Sequence, residues 1–178
     1  MDPHSHAEHF RRRWRVCEGR EMTDVLVRTA GPEDADALAS LKVAWAQLAS
    51  EPDDATTAAY AEELREWLAA QGDAVVCRVA VVDGEFVGMA WLVVFERVPN
   101  IRDRHRLTGD VQSVFVLPGH RSRGIGETLV RALCQDADER GIPRVTVSAN
   151  EASAELYQRV GFSGEHLLFE RRRGGIAG

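Results

Sequence analysis

Apolar positions along the chain change period several times, and each change marks an element. After a first stretch with little periodicity, residues 1–22, Asp24–Thr29 carries the β-branched run of a strand. Leu38, Leu41, Trp45 and Leu48 then recur at helical spacing behind Pro32, Glu33, Asp34 and Asp36. Proline fits the first helical position and carboxylates complement the helix dipole, so a helix starts there. Pro52 breaks the run. Asp53 or Asp54 caps a second helix that presents Tyr60, Leu64, Trp67 and Leu68 on one face, and Gly72 ends it. Two further strand-like runs, Ala74–Val82 and Glu85–Phe95, flank Asp83-Gly84, a strong hairpin signal. A polar loop over Glu96–Gly109 carries Arg97, Arg102, Arg104 and Arg106. There follow a strand at Asp110–Leu117, a helix from about Gly124 to Arg140, a strand at Arg144–Ala149, a short helix at Ser153–Val160 and a last strand at Glu165–Arg171. This order predicts a mixed α/β sheet rather than a bundle or a sandwich.

Composition narrows the class without choosing a function. A chain of 178 residues reads as one domain, with 1–22 as a peripheral extension and 174–178 as a tail around a folded part at 23–173. With 44% hydrophobic and 28% charged residues, wholesale disorder is excluded. The best apolar run, Val75–Val82, holds Arg78 and falls short of the ~18 residues of a membrane span. Arg12-Arg13 lacks the apolar stretch of a twin-arginine leader, so a cytoplasmic location without a membrane partner is expected. A net charge of −6 excludes a generally basic nucleic-acid binder. Cys17, Cys77 and Cys134 stand far apart and suit reduced thiols. No metal is expected; His4, His6 and His9 are only a compositional signal.

Candidate chemistry gathers in one stretch. From Val114 through Gly126 the chain runs strand, tight turn, helix start, with glycines at 124 and 126. First-turn amides lack intrahelical partners and point outward at the positive end of the dipole. Arg121 and Arg123 add cationic donors, so the pattern suits a pyrophosphate or similar anion. A Walker loop is excluded because the only lysine, Lys42, lies in the first helix. The dinucleotide fingerprint is excluded because its third glycine is missing.

These residues resemble the GNAT superfamily of acyl-CoA N-acyltransferases. The family's R/Q-x-x-G-x-G/A signature is matched by Arg121-Ser122-Arg123-Gly124-Ile125-Gly126. Its later half is matched by Asn150, Ala154, Leu156, Tyr157 and Gly161-Phe162, so the likeness covers residues 24–171. The resemblance implies the family fold, a mixed and mostly antiparallel sheet of six or seven strands with about four helices. It implies acetyl-CoA as acyl donor, held by the amides of Arg123, Gly124, Ile125, Gly126 and Glu127. The open strand Val114-Phe115-Val116 would pair with the pantetheine arm, Asn150 would bond that arm, and Tyr157 would protonate the leaving thiolate. An unperturbed phenol holds its proton at neutral pH.

Transfer to a primary amine, of a small molecule or a peptide, also needs a base and a donor for the carbonyl oxygen. Asp110 is the candidate base, acting directly or through water with Gln112. Strand alternation places Asp110, Gln112, Val114 and Val116 on one face. An N–H of Phe115 or Val116 is the candidate oxygen donor. The segment Glu33–Asp73 carries ten acids against Lys42 and Arg65. That field either favours a cationic amine or is a set of solvated helix faces. The arginine-rich loop would instead suit an acidic substrate or the 3′-phosphate of CoA. Two other classes stay open: a CoA-binding sensor without transfer, and a nucleic-acid partner gripped by Arg11–Arg15 and Arg171–Arg173. An exposed edge strand and family habit imply a homodimer.

Overall fold

The hairpin at Asp83-Gly84 organises the centre of the molecule. Both residues take positive φ, 50° and 88°, the combination that matches the twist of two directly joined strands. It joins β3 (Val75–Val82) to β4 (Glu85–Glu96), and both strands are buried on both faces over most of their length. The computed structural model describes residues 12–18, 21–47, 50 and 52–164, with side chains from Asp24 onward.

Around this hairpin the strands follow chain order. β1 (Arg12–Glu18) pairs with β2 (Glu21–Ala30), β2 with β3, β4 with β5 (Leu107–Val116), all antiparallel; β6 (Val145–Val147) runs parallel to β5. β1 lies in the stretch that sequence reading left as an extension without an element. Its backbone pairs residue by residue from Arg12↔Val27 to Glu18↔Glu21 and forms one edge of the sheet. The last expected strand, 165–171, lies outside the described residues.

Alternation along β3 divides the core in two. Val76, Ala80 and Val82 face α3 (Ile125–Glu139) and pack with Ile125, Leu129, Leu133 and Ala137. Cys77 and Val79 face the other way, with Leu38 and Leu41 of α1 (Ala35–Ala46) and Leu64 of α2 (Asp54–Gln71). Period 2 on the strands against 3.6 on the helices produces this three-layer arrangement. α1 is entered through a short 3-10 turn at Pro32–Asp34, where Asp34 accepts two 2.7 Å bonds from the Arg28 guanidinium. Asp53, not Asp54, caps α2, accepting from Thr56 N–H at 2.8 Å. No described helix is long and apolar enough to cross a membrane.

One polar contact crosses the core. Arg78 lies on the α3 face of β3, and its guanidinium meets both oxygens of Asp136 on α3, Nε to Oδ2 at 2.8 Å. Both side chains are about nine-tenths buried. The pair ties the middle of the sheet to the helix whose N-terminus opens on the site.

Candidate active site

β5 and β6 begin paired and then part. Their ladder covers only Gly109–Val111 against Val145–Val147, while β5 runs on to Val116. A bulge accompanies the parting. The β4–β5 register slips between Met89 and Trp91, and Ser113 takes a left-handed φ of 47°. Bulges bend the strand that carries them. Into the opening comes α4 (Glu151–Val160), and the walls enclose a cleft of about 930 Å³.

The bulge also corrects the expected side-chain arrangement. Asp110 and Gln112 share a face, with Gln112 Nε2 donating to Asp110 Oδ2 at 2.8 Å. The extra residue then reverses the alternation. Ser113 turns toward α1, where it accepts from Lys42, whereas Val114 and Val116 pack with the α3-side core. The four residues therefore do not share one face. Thr146 Oγ1 gives Asp110 a second hydrogen bond at 3.1 Å, through Oδ1, which fixes the carboxylate at the mouth of the parting strands.

Peptide direction separates the two candidate oxygen donors. Leu117 N–H donates across to Val87, and Phe115 O lies close to Gly88, so alternate peptides here point at β4. Those of Val116 point the other way, into the cleft. Its carbonyl accepts there from Arg121 Nε at 3.0 Å. Val116, not Phe115, has its N–H directed at the cleft.

At the end of β5 the chain turns through a 3-10 element at Pro118–His120 and enters α3 at Gly124. Gly124 has φ 75° and supplies no side-chain cap. Thr128 N–H, bonded to Gly124 O at 3.0 Å, is the first amide satisfied inside the helix. Those of Ile125, Gly126 and Glu127 remain for a ligand. A Cβ at Gly126 would stand 3.1 Å from Leu156 Cδ1, so the first turn packs closely under α4 with bare backbone. His120 Nδ1 is buried there with no partner among the described residues. This donor set, with a helix dipole behind it, fits the diphosphate of an acyl-CoA.

The arginines of the turn act differently from each other. Arg121 lines the cleft, its guanidinium over the Phe115 ring at 5.7 Å. Arg123 does not line it; its Nη2 donates back to Gly119 O at 3.1 Å and braces the turn. Ser122, left-handed at φ 62°, lines the cleft with Gly124, Ile125, Gly126 and Glu127. Sequence reading missed Arg159. With Arg131 it holds Glu127, whose carboxyl these two hydrogen bonds keep below the usual glutamate range. Helical spacing from Glu155 was the only signal for it.

Asn150 and Tyr157 come to the same cleft from α4. Asn150 is its N-cap: Oδ1 accepts from Ser153 N–H at 3.0 Å, and Ser153 Oγ accepts from Asn150 N–H at 3.2 Å. That capping box starts the helix at Glu151, two residues before the expected position. Seven residues after the cap, Tyr157 is 8% exposed and stacks edge-on with Phe162 at 5.7 Å. Burial pushes its phenol above the ordinary value of 10.0. Cys77 and Cys134 are also pushed up by burial, Cys134 to about 11, so neither supplies a thiolate.

Among the described residues, the cleft thus joins every expected site residue except Arg123. From the segment 33–73 it takes only Trp45; neither the described acids there nor Lys42 lines it. No described group of three metal-ligating side chains exists.

The sequence model of the acetyltransferase (GNAT) family matches residues 41–162, more than half of the chain. The chain belongs to the GNAT acetyltransferases. It is 30% identical over 79 residues to glucosamine 6-phosphate N-acetyltransferase of Trypanosoma brucei brucei, a match covering 44% of this acetyltransferase and 52% of that relative. The chain therefore spans about half the length of the curated relative it matches. Its fold is similar to that of a Clostridium acetobutylicum acetyltransferase solved with acetyl-CoA, at 19% identity and a TM-score of 0.66, covering 83% of this chain and 96% of that one. It is also similar to an aminoglycoside N-acetyltransferase solved with CoA, at 19% identity and a TM-score of 0.64, covering 88% and 99%.

Proposed function

We propose that this acetyltransferase moves an acetyl group from acetyl-CoA to a primary amine by direct attack within a ternary complex. The observation that carries the reading is the parting of β5 from β6. It leaves the Val116 peptide open to the cleft that Tyr157 also lines, together with the uncapped α3 amides and Asp110.

Acetyl-CoA, when bound, supplies the acetyl group as a thioester. The amides of residues 125–127 and the open peptides of Val114 and Val116 hold the donor in line with the cleft, lowering the entropic cost of the encounter. Asn150 keeps its amide N–H groups for the pantetheine arm, because capping uses Oδ1. Asp110 receives the proton that an ammonium acceptor must lose. The neutral nitrogen bonds to the carbonyl carbon as the C–S bond breaks, Val116 N–H stabilises the charge gathering on oxygen, Tyr157 protonates the departing sulfur, and the second proton that the nitrogen sheds returns through solvent to the phenolate. The burial that raises Tyr157 keeps its phenol protonated up to the moment the sulfur departs.

Release of free thiol from acetyl-CoA in the presence of amines, followed with a thiol reagent, tests the reading. Amine-dependent release is expected. Calorimetric binding of acetyl-CoA without release across a broad panel would make the protein a sensor instead. The α3 end has its own test. Gly124→Ala forces a Cβ into a left-handed position, at a cost of about 1–2 kcal/mol. It should weaken acetyl-CoA binding by calorimetry more than it lowers kcat.

A further inference from the structure

Lys42, the only lysine of the chain, stands on the face of α1 that meets the sheet. Its Nζ donates to Ser113 Oγ at 3.0 Å and lies over two rings, Trp45 at 5.0 Å and Trp91 at 5.6 Å. An ammonium has three N–H donors. One goes to Ser113. The rings attract the charge but accept no conventional hydrogen bond. Among the described residues no carboxylate forms an ion pair with it. Half-burial holds its pKa below the ordinary lysine value, as expected of a cation whose lost hydration is only partly replaced.

The place of this cation matters. Lys42 stands just behind the cleft wall: two of its three partners, Trp45 and Ser113, line the cleft, and Asp110 and Gln112 follow on the same face of β5. That face thus offers a carboxylate, then an amide, then a hydroxyl backed by an under-paired ammonium. A purely structural filler between two tryptophans would do better as methionine or leucine, with no desolvation cost.

We infer that the acceptor is a zwitterion, an amine carrying a carboxylate or a phosphate, with its anionic group received at the cleft wall by Ser113, backed by the charge of Lys42, and its amine turned toward Asp110. The inference rests on the proposed transfer to an amine and names the class of that amine. A dicationic acceptor would bring like charge to Lys42 and be disfavoured.

Calorimetry on the full chain saturated with CoA tests it, using glucosamine against glucosamine 6-phosphate, and ethanolamine against phosphoethanolamine and β-alanine. At least one anionic probe should bind about 10-fold or more tightly than its neutral counterpart, the range of a charge-assisted contact. The phosphate and carboxylate arms decide which anion is recognised. The preference should vanish in Lys42→Met and persist in Lys42→Arg, and in steady state the Lys42→Met loss should fall on the acceptor KM rather than kcat. Equal affinities, a preference that survives Lys42→Met, or no binding of any anionic probe overturns the inference. A separate titration with acetyl-CoA isolates the underlying reading: failure there breaks the transfer proposal, whereas success without anion preference breaks only this one.

Discussion

Tyr157→Phe should lower kcat by about 100-fold or more, the scale of a lost general acid, and leave acetyl-CoA affinity nearly unchanged. The change removes one hydroxyl and keeps the ring, so the edge-on contact with Phe162 survives. Stopped-flow thiol release and acetyl-CoA calorimetry on the same variant separate the two effects. The pH profile adds a second check. Because burial raises the phenol above 10.0, kcat should show no descending limb from Tyr157 below about pH 10. A Phe variant with full turnover would remove Tyr157 from the chemistry. A loss confined to acetyl-CoA affinity would make it a wall of the cleft.

Asp136→Ala should be the most damaging single change to stability. It leaves the Arg78 guanidinium buried without the bidentate partner it has on α3. Breaking a buried pair from one side costs about 3–5 kcal/mol. For a chain of this size that corresponds to a drop in Tm of roughly 6–20 °C, read by calorimetry or circular dichroism. Asp136→Asn, which keeps the volume and part of the hydrogen bonding, should lose less. A loss below about 1 kcal/mol in the alanine variant would mean that water or a neighbouring carboxylate replaces the partner. Because α3 begins at the anion site, the alanine variant should also weaken acetyl-CoA binding near its own melting range, but not far below it.

Local signals in this chain were strong, and the structure follows them closely. The Asp83-Gly84 hairpin, the Asp53 cap, the helix ending near Gly72 and the strand–turn–helix around Gly124 are all decided within a few residues, by dihedral preference and capping. The uncapped amides at the start of α3 were legible for the same reason: they follow from the turn and the helix start that consecutive residues set. β1 was not legible, since its strand character depends on the partner it finds in β2 rather than on a hydrophobic alternation of its own.

What the tertiary structure alone decided is direction. Ser113 is one residue with a positive φ, yet it sends Val114 and Val116 to the opposite face from Asp110 and Gln112 and makes the cleft-facing peptide that of Val116. A period-2 reading cannot foresee this, because a bulge is a mismatch between two strands and exists only when both are paired. Arg123 reads like a ligand donor and acts as a brace; Lys42 reads like a helix-surface cation and sits between two tryptophans beside the cleft. Sequence by itself determined which groups are available to this acetyltransferase. Packing determined which of them share a space, because burial and pairing are properties of neighbours that the chain brings together only on folding.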